Sequence, residues 1–255
     1  MSDERPTPSE ISLDGAHFDG SGVPSHNGRA LSGTGFDNDT GEADPKLVAA
    51  LADERGEVAL FAAVADARLL VPVLAAPASD PDELSEARSA DMAMVTITSP
   101  DGQRALPVFT SVTALQAWDP AARPSPVTSA RAAQAAVAER CDVLLLDLGS
   151  THERVLRPSM VWALAQQREW LPAHTDPFVA QCLSRATADE DDVVGCFGEE
   201  GEPVGAGILR VVLSLRPGLE PAQVQALATR VGEQIATDGE ARARIDGLVF
   251  AIRPA

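Results

Sequence analysis

One segment in the first half of the chain constrains the fold more than any other. Residues 69–74 read LLVPVL, a short apolar run that is typical of a β-strand covered on both faces. Residues 92–98 alternate like a second strand, and SPDG at 99–102 is a turn signal before a third extended run at 104–109. A helical pattern reaching Trp118 follows. The segment therefore predicts the order strand, hairpin, helix.

Both ends of this segment carry further local signals. Pro72 has no backbone N–H to donate to a neighbouring strand, so we expect the first strand to lie at a sheet edge or to contain a bulge. Before the helix, Thr110 or Ser111 can accept a hydrogen bond from the free N–H groups of the first turn. The helix is therefore predicted to begin close to Ser111.

Composition excludes several classes of protein. A chain of 255 residues with 45% hydrophobic content is long enough for one large domain or two small ones. The formal charge of −18 repels phosphate backbones and no basic stripe offsets it, so we expect no nucleic-acid partner. No apolar stretch approaches the roughly 20 residues that span a bilayer, and the N-terminus has no secretory signal. We therefore expect a cytoplasmic protein with no membrane association.

The rest of the chain divides into regions of different character. Residues 1–44 are acidic and rich in Gly, Ser, Asp and Pro, which predicts a disordered tail. Residues 45–171 combine helix and strand patterns, as in a domain with a mixed β-sheet and flanking helices. Residues 172–177 are the predicted linker, and residues 178–255 form a smaller two-layer α+β unit. The predicted fold class is therefore α/β, more closely α+β.

Several elements outside the opening segment are predicted individually. Asp44 followed by proline signals the start of a helix, and Thr128 is expected to cap an alanine-rich helix. The stretch AARPSPV before Thr128 is interpreted as an exposed connection. A strongly apolar strand is predicted over 143–148, and a helix opens at Arg157. The C-terminal unit is predicted to contain two strands, a helix and a closing strand, at 193–197, 207–215, 224–235 and 248–252.

The order and spacing of these segments resemble a known family. The path from FDNDTGEADPKLVAAL through ARLLVPVLA, DMAMVTITSPDGQRALPVFTS, ALQAW and RPSPVTSARAAQAAV to DVLLLDL is similar to the N-terminal domain of the SseB family, in its actinobacterial form. The resemblance covers about residues 37–167, and VVLSLRPGL with IDGLVFAI resembles the family's C-terminal domain. It implies a soluble bacterial α/β protein of a group named for enhanced serine sensitivity, with no catalytic residues to carry over. The unrelated secretion translocon protein of the same name is excluded, because this chain lacks transmembrane and coiled-coil character.

Few residues qualify as members of a binding site. His152 follows the 143–148 strand at its carboxyl end, where open α/β sheets bind ligands, although a lone histidine in a charged loop also fits a solvent-facing position. Phe109 and Trp118, with the cap residues between them, fit either a core with a helix cap or an open edge that receives a peptide or a small anion. The candidate binding surface consists of Phe109, Thr110, Ser111, Trp118 and His152.

The sequence contains no converging set of acid, base, nucleophile or metal ligands. Cys141, Cys182 and Cys196 are odd in number and widely spaced, which fits neither a disulfide framework nor a metal site. His174 and Asp176 have no nucleophile at a defined spacing. We therefore predict no catalytic residues, no metal and no cofactor, and the sequence favours a protein that is not an enzyme.

Three functional hypotheses remain. The first is a non-catalytic protein-binding or regulatory module that engages a protein partner through a sheet edge and its acidic surface. The second is a sensor or weak enzyme for a small molecule, such as an amino-acid or thiol metabolite, with a pocket between the two units near His152 or Phe109. The third is an architectural domain of a larger assembly.

Overall fold

The computed structural model describes residues 36, 39–53, 56–75, 92–100 and 102–255. Most of the predicted tail at 1–44 lies outside these ranges, so its disorder stays a prediction. The helices of the described ranges are α1 (Pro45–Leu51), α2 (Glu57–Asp66), α3 (Val112–Trp118), α4 (Ser129–Ala138), α5 (Pro158–Ala165), α6 (Pro177–Ala186), α7 (Pro221–Thr237) and α8 (Gly239–Arg244). The strands are β1 (Arg68–Ala75), β2 (Met92–Met94), β3 (Ile97–Thr98), β4 (Arg104–Val108), β5 (Arg123–Thr128), β6 (Val143–Leu146), β7 (Arg154–Leu156), β8 (Val193–Glu200), β9 (Ile208–Leu215) and β10 (Gly247–Pro254). None of the described helices is long and apolar enough to cross a membrane.

The strands form three sheets. In the first, β1 lies between β2 and β5 and pairs antiparallel with both. In the second, the order is β3-β4-β6-β7, with β4 and β6 parallel and the outer pairs antiparallel. Two backbone hydrogen bonds of 2.8 Å between Leu70 and Phe109 join these two sheets. The third sheet has the order β10-β9-β8, with β9 parallel to β10 and antiparallel to β8. The predicted α+β class with a mixed sheet is confirmed.

The predicted edge or bulge at Pro72 is wrong, because Pro72 lies in the middle strand of its sheet. The backbone N–H and C=O of Leu70 both form hydrogen bonds with Phe109. Backbone groups two residues apart in a strand point the same way, so those of residues 70 and 72 point away from β5. Pro126 and Pro124 lie directly opposite these positions, and their nitrogens also point away from the shared ladder. The prolines therefore remove no hydrogen bond between the two strands. The stretch interpreted as an exposed connection is in fact the strand β5.

The predicted hairpin forms, with one difference. The N–H of Gly102 donates to the carbonyl of Ser99 at 2.9 Å, and β3 pairs antiparallel with β4. The single strand predicted over 92–98 is divided into β2, which pairs with β1, and β3, which pairs with β4. Val95 and Thr96 are buried where the chain passes from one sheet to the other. One continuous run of sequence therefore contributes to two sheets.

Side chains at the helix starts follow the sequence expectations. Asp44 caps α1 by accepting the N–H of Lys46 at 2.7 Å, and Ser111 and Thr128 cap α3 and α4. Asp176 caps α6 in the same way. The helices α6 and α8 and the short strand β7 were not predicted.

Three clusters of buried apolar side chains hold these elements together. The largest draws on α1, α2, α4 and α5 and on the first two sheets. A smaller cluster around Phe109 and Leu115 lies under α3. The third belongs to the C-terminal part of the chain, where alternate residues of β9, such as Leu209 and Val211, pack against α6 and α7. We refer to the parts before and after residues 172–177 as the N-terminal and C-terminal units; this boundary stays a prediction.

Candidate functional site

The carboxyl ends of the parallel strands β4 and β6 lie side by side and bring two polar residues together. Thr110 follows β4, and Asp147 follows β6. The carboxylate of Asp147 accepts the backbone N–H of Thr110 at 2.7 Å and its hydroxyl at 2.8 Å. Both residues are buried. Asp147 therefore fastens the two strand ends to each other, and we name this pair the strand-end clamp.

The strand-end clamp has one property of a reactive site. Burial raises the pKa of the Asp147 carboxyl above its ordinary value, while the hydrogen bonds from Thr110 and the charge of His152 oppose this change. Carboxyls with raised pKa values occur at general-base sites. Here, however, each oxygen of Asp147 already accepts a hydrogen bond from Thr110. The arrangement therefore fits a structural clamp better than a proton acceptor.

The other predicted site residues lie in different environments. Phe109 is fully buried, and its ring centre lies 5.3 Å from that of the half-buried Trp118. The Oγ of Ser111 accepts a backbone N–H of α3 at 3.1 Å. His152 is exposed in the turn after β6. Among the five predicted residues, counting Thr110, only His152 has an exposed side chain.

Arg68 ties the start of the described chain to the strand-end clamp. Its guanidinium donates to the backbone carbonyl of Thr110 and to that of Glu42, the latter at 2.7 Å, and it pairs with the carboxylate of Asp39. The hydrogen bond from Arg68 lowers the pKa of Asp39. The charges of this group are therefore satisfied within the chain.

A second polar cluster lies where the two units meet. Arg157, at the start of α5, pairs with Glu57 of α2, with Asp246 at 3.0 Å, and donates to the carbonyl of Gly205 at 2.7 Å. Its guanidinium carbon lies 5.5 Å from the ring centre of Trp170. Burial opposes the charged form, yet the hydrogen bonds to both carboxylates raise the pKa of Arg157 above its ordinary value. Arg157 therefore contacts both units and stays charged.

A residue of the C-terminal unit caps a helix of the N-terminal unit. Asp246 accepts the backbone N–H of Ser159 at 2.7 Å and its hydroxyl at 2.8 Å, whereas Arg157 makes no capping bond with its own side chain. Gly207 lies against this group with φ of 74°, and a Cβ there would collide with the side chains of Arg157 and Asp246. The seam between the units is therefore closely packed.

Two clefts along this seam are small. Their volumes are about 30 Å³ and about 10 Å³. Pockets for small molecules are on the order of 300–1,000 Å³. Neither of these clefts has room for an amino acid, and neither is lined by Phe109 or His152.

The larger cleft has an apolar rim that faces solvent. Trp162 on α5 is 45% exposed, and Leu171 is 38% exposed. Along the same cleft, Arg168 and Arg244 both pair with Glu240, at 2.9 Å and 2.7 Å. We name the exposed surface at this cleft the indole rim; it consists of Trp162, Gln166, Glu169 and Leu171.

A match to a known family covers most of the N-terminal unit. Residues 45–163 match the family model of the SseB protein N-terminal domain. The chain carries an SseB N-terminal domain. The resemblance seen in the sequence is confirmed for this range, whereas the actinobacterial form stays a prediction. Among curated proteins and solved structures, none matched the chain.

The SseB domain contains the strand-end clamp and the tryptophan of the indole rim. Thr110, Asp147 and Trp162 lie within the matched range, and Leu171 lies beyond it. The match ends inside α5, which spans Pro158–Ala165. The indole rim is therefore shared between the SseB domain and the residues that follow it.

The cysteines are not activated nucleophiles. Burial raises the pKa of Cys141 and of Cys196 to about 11, and it also raises the pKa of Cys182. The reactive form of cysteine is the thiolate, so these groups stay protonated at neutral pH. Across the described ranges, no three His, Cys, Asp or Glu side chains are grouped so that they would hold a metal ion.

The residues that organise the clamp and the seam were missed by sequence reasoning. Asp147 lies inside the apolar run at 143–148, and a carboxylate within such a run is a signal for a buried, hydrogen-bonded group. In the sequence, Arg157 followed by proline indicates only the start of a helix. Its contact with Asp246 spans 89 residues of sequence, and nothing local indicates it. The exposure of Trp162 depends on which face of α5 packs against other elements, and those elements lie far away in the sequence.

Proposed function

We propose that this SseB-domain protein is a non-catalytic protein-binding module and that the indole rim contacts the partner. The observation that carries the proposal is the exposed Trp162 beside a seam whose clefts are too small for a metabolite. Tryptophan is enriched among the residues that dominate the binding energy of protein interfaces. Covering an exposed indole and the neighbouring Leu171 removes apolar surface from water and so favours association.

The partner is expected to be a protein with basic side chains next to an apolar anchor. The chain has a formal charge of −18, and Glu169 is exposed on the indole rim. A guanidinium or ammonium group also binds the face of an indole ring. Opposite charge between two surfaces accelerates their association and selects among partners.

The alternative function, a metabolite sensor or weak enzyme, has less support. The seam clefts, at about 30 Å³ and 10 Å³, are far smaller than the pockets that bind small molecules. The oxygens of Asp147 are engaged by Thr110, and the three thiols have raised pKa values. These features favour a surface that makes contacts over a site that performs chemistry.

Quantitative affinity capture with the full-length chain as bait tests the proposal. Trp162→Ser removes the indole from the rim, and Val48→Ser is the matched control because Val48 is 50% exposed on α1 and does not line the cleft. We expect the wild type and V48S to recover the same basic protein. W162S is expected to recover at least tenfold less, which corresponds to about 1.4 kcal/mol. Equal recovery by W162S and V48S would show that the indole rim is not the contact surface.

A further inference from the structure

The sheet of the C-terminal unit leaves one long edge open. The strand β10 pairs with β9 on one side, and no other strand of the described ranges pairs with its second side. Its eight residues, at about 3.3 Å each, form an edge about 26 Å long. Backbone N–H and C=O groups along such an edge are a template for pairing with a further strand.

The opposite edge of the same sheet is protected. The strand β8 has a register shift between Val193 and Gly195, and such an irregularity bends a strand away from flat pairing. It also ends in two glutamates, whose charges disfavour pairing with a further strand. By contrast, β10 pairs with β9 without any register shift over its full length, and Arg253 is its only charged residue. The sheet therefore resists pairing at β8 and permits it at β10.

Apolar side chains flank the β10 edge on both faces of the sheet. Val249 lies beside Arg210 of β9, on the face away from the helices, and is 43% exposed. Ile252 lies beside Leu213, on the face that packs against the helices, and is 44% exposed. An additional strand along this edge would cover both side chains.

We propose that two copies of this chain associate by antiparallel pairing of their β10 strands about a two-fold axis. The pairing joins two three-stranded sheets into one sheet of six strands. A pair centred on Ala251 places Phe250 opposite Ile252 of the second copy, and Val249 opposite Arg253 of the second copy. Opposed residues share one face, so the apolar side chains meet on the helix side.

The charged side chains next to this edge are paired within the chain, so they do not select a basic strand over a second copy. Arg253 does not face itself in this register, and Glu199 neutralises it at 3.0 Å within its own copy. Asp246, next to β10 in the sequence, is paired with Arg157. The edge therefore offers no unpaired acid from these residues to a basic strand. Each copy carries −18, so added salt is expected to strengthen self-association by screening long-range repulsion.

Sedimentation equilibrium of the full-length chain at 50 and 500 mM NaCl tests the proposal. The wild-type mass is expected to rise with concentration from 26.6 kDa toward twice that value, and to do so at lower concentration in the higher salt. Val249→Lys and Ile252→Lys are each expected to weaken association at least tenfold. Val194→Lys is the control: Val194 is a 60% exposed valine of β8, on the opposite edge, and this variant should match the wild type.

Circular dichroism establishes that each variant is folded before its mass is measured. A wild-type mass of 26.6 kDa at every concentration and in both salts overturns the proposal. Equal loss in V194K and I252K also overturns it, because association would then not depend on β10. Self-association of V249K and I252K that equals that of the wild type would overturn the proposal for the same reason. W162S is expected to leave self-association intact, which separates this inference from the proposed partner surface.

Discussion

Asp147 shows how a single residue determines the way two strand ends are held. Its carboxyl lies in the core, where burial raises its pKa, and it accepts both hydrogen bonds from Thr110. The backbone of Asp147 has φ of 50°, in the left-handed region that aspartate tolerates better than most residues. Aspartate therefore suits this position for two reasons: its backbone tolerates the left-handed conformation, and its carboxylate accepts both hydrogen bonds from Thr110.

The raised pKa of Asp147 predicts a specific pH dependence of stability. Because the folded state holds this proton more tightly than the unfolded state, the contribution is fully present below the ordinary pKa of 3.8 and declines as pH rises through the raised pKa. Asp147→Asn keeps the shape and cannot titrate. The free energy of unfolding of the wild type minus that of D147N, from urea titrations at pH 4 to 7, should therefore fall as pH rises. A difference that rises with pH would contradict the raised pKa.

At the scale of elements, the register of β5 against β1 predicts a large effect of substitution at one position and a small effect at its neighbour. The N–H of Ser125 points toward Val71 in the ladder, whereas the nitrogen of Pro124 points away from it. Ser125→Pro should lower the free energy of unfolding by about 3 kcal/mol, because it removes a ladder hydrogen bond and places a ring in the strand. Pro124→Ser, the matched control, should change it by less than about 1 kcal/mol. Thermal unfolding followed by circular dichroism measures both, and equal losses would refute the register.

Elements encoded by local signals were predicted well. The strand β1, the hairpin and the capped helix α3 combine an apolar run, a turn sequence and Ser111, all close together in the chain. Elements that depend on residues distant in the sequence were predicted poorly. The division of β2 from β3 reflects pairing with two different sheets. The strand β5 cannot be recognised locally, because its prolines are compatible with a strand only in this register against β1.

The missed helix α6 has a different cause. Asp176 and Pro177 carry the same start signal as Asp44 and Pro45, and in both places the aspartate caps a helix. The composition of residues 172–177 favours a linker, and the start signal lies at the end of that stretch. Within the candidate site, the helix cap at Ser111 could be predicted from neighbouring residues alone. The contacts of Arg157 at the seam could not be predicted, because they join three distant parts of the chain.

At the scale of the whole molecule, the seam couples the two units. Arg157 is 12% exposed and bonds to Glu57 in one unit and Asp246 in the other. Arg157→Met leaves both carboxylates without their cation and should lower the free energy of unfolding by about 3 kcal/mol. Arg230→Met removes a 54% exposed arginine paired with Glu190 and should lower the free energy of unfolding far less than Arg157→Met, because solvent screens this pair. Urea unfolding monitored by tryptophan fluorescence tests this, and equal losses would mean that the seam does not join the units.

The contact function of the indole rim is tested most directly by site-specific photo-crosslinking in the native cells. A benzoylphenylalanine at Gln166, which is exposed on the rim, reports what lies against Trp162, and the same probe at Val48 is the control. We predict an adduct between the Gln166 probe and a basic protein, absent with the Val48 probe. No adduct at Gln166, the same adducts at both positions, or an adduct that contains only a second copy of this chain would contradict the proposed function.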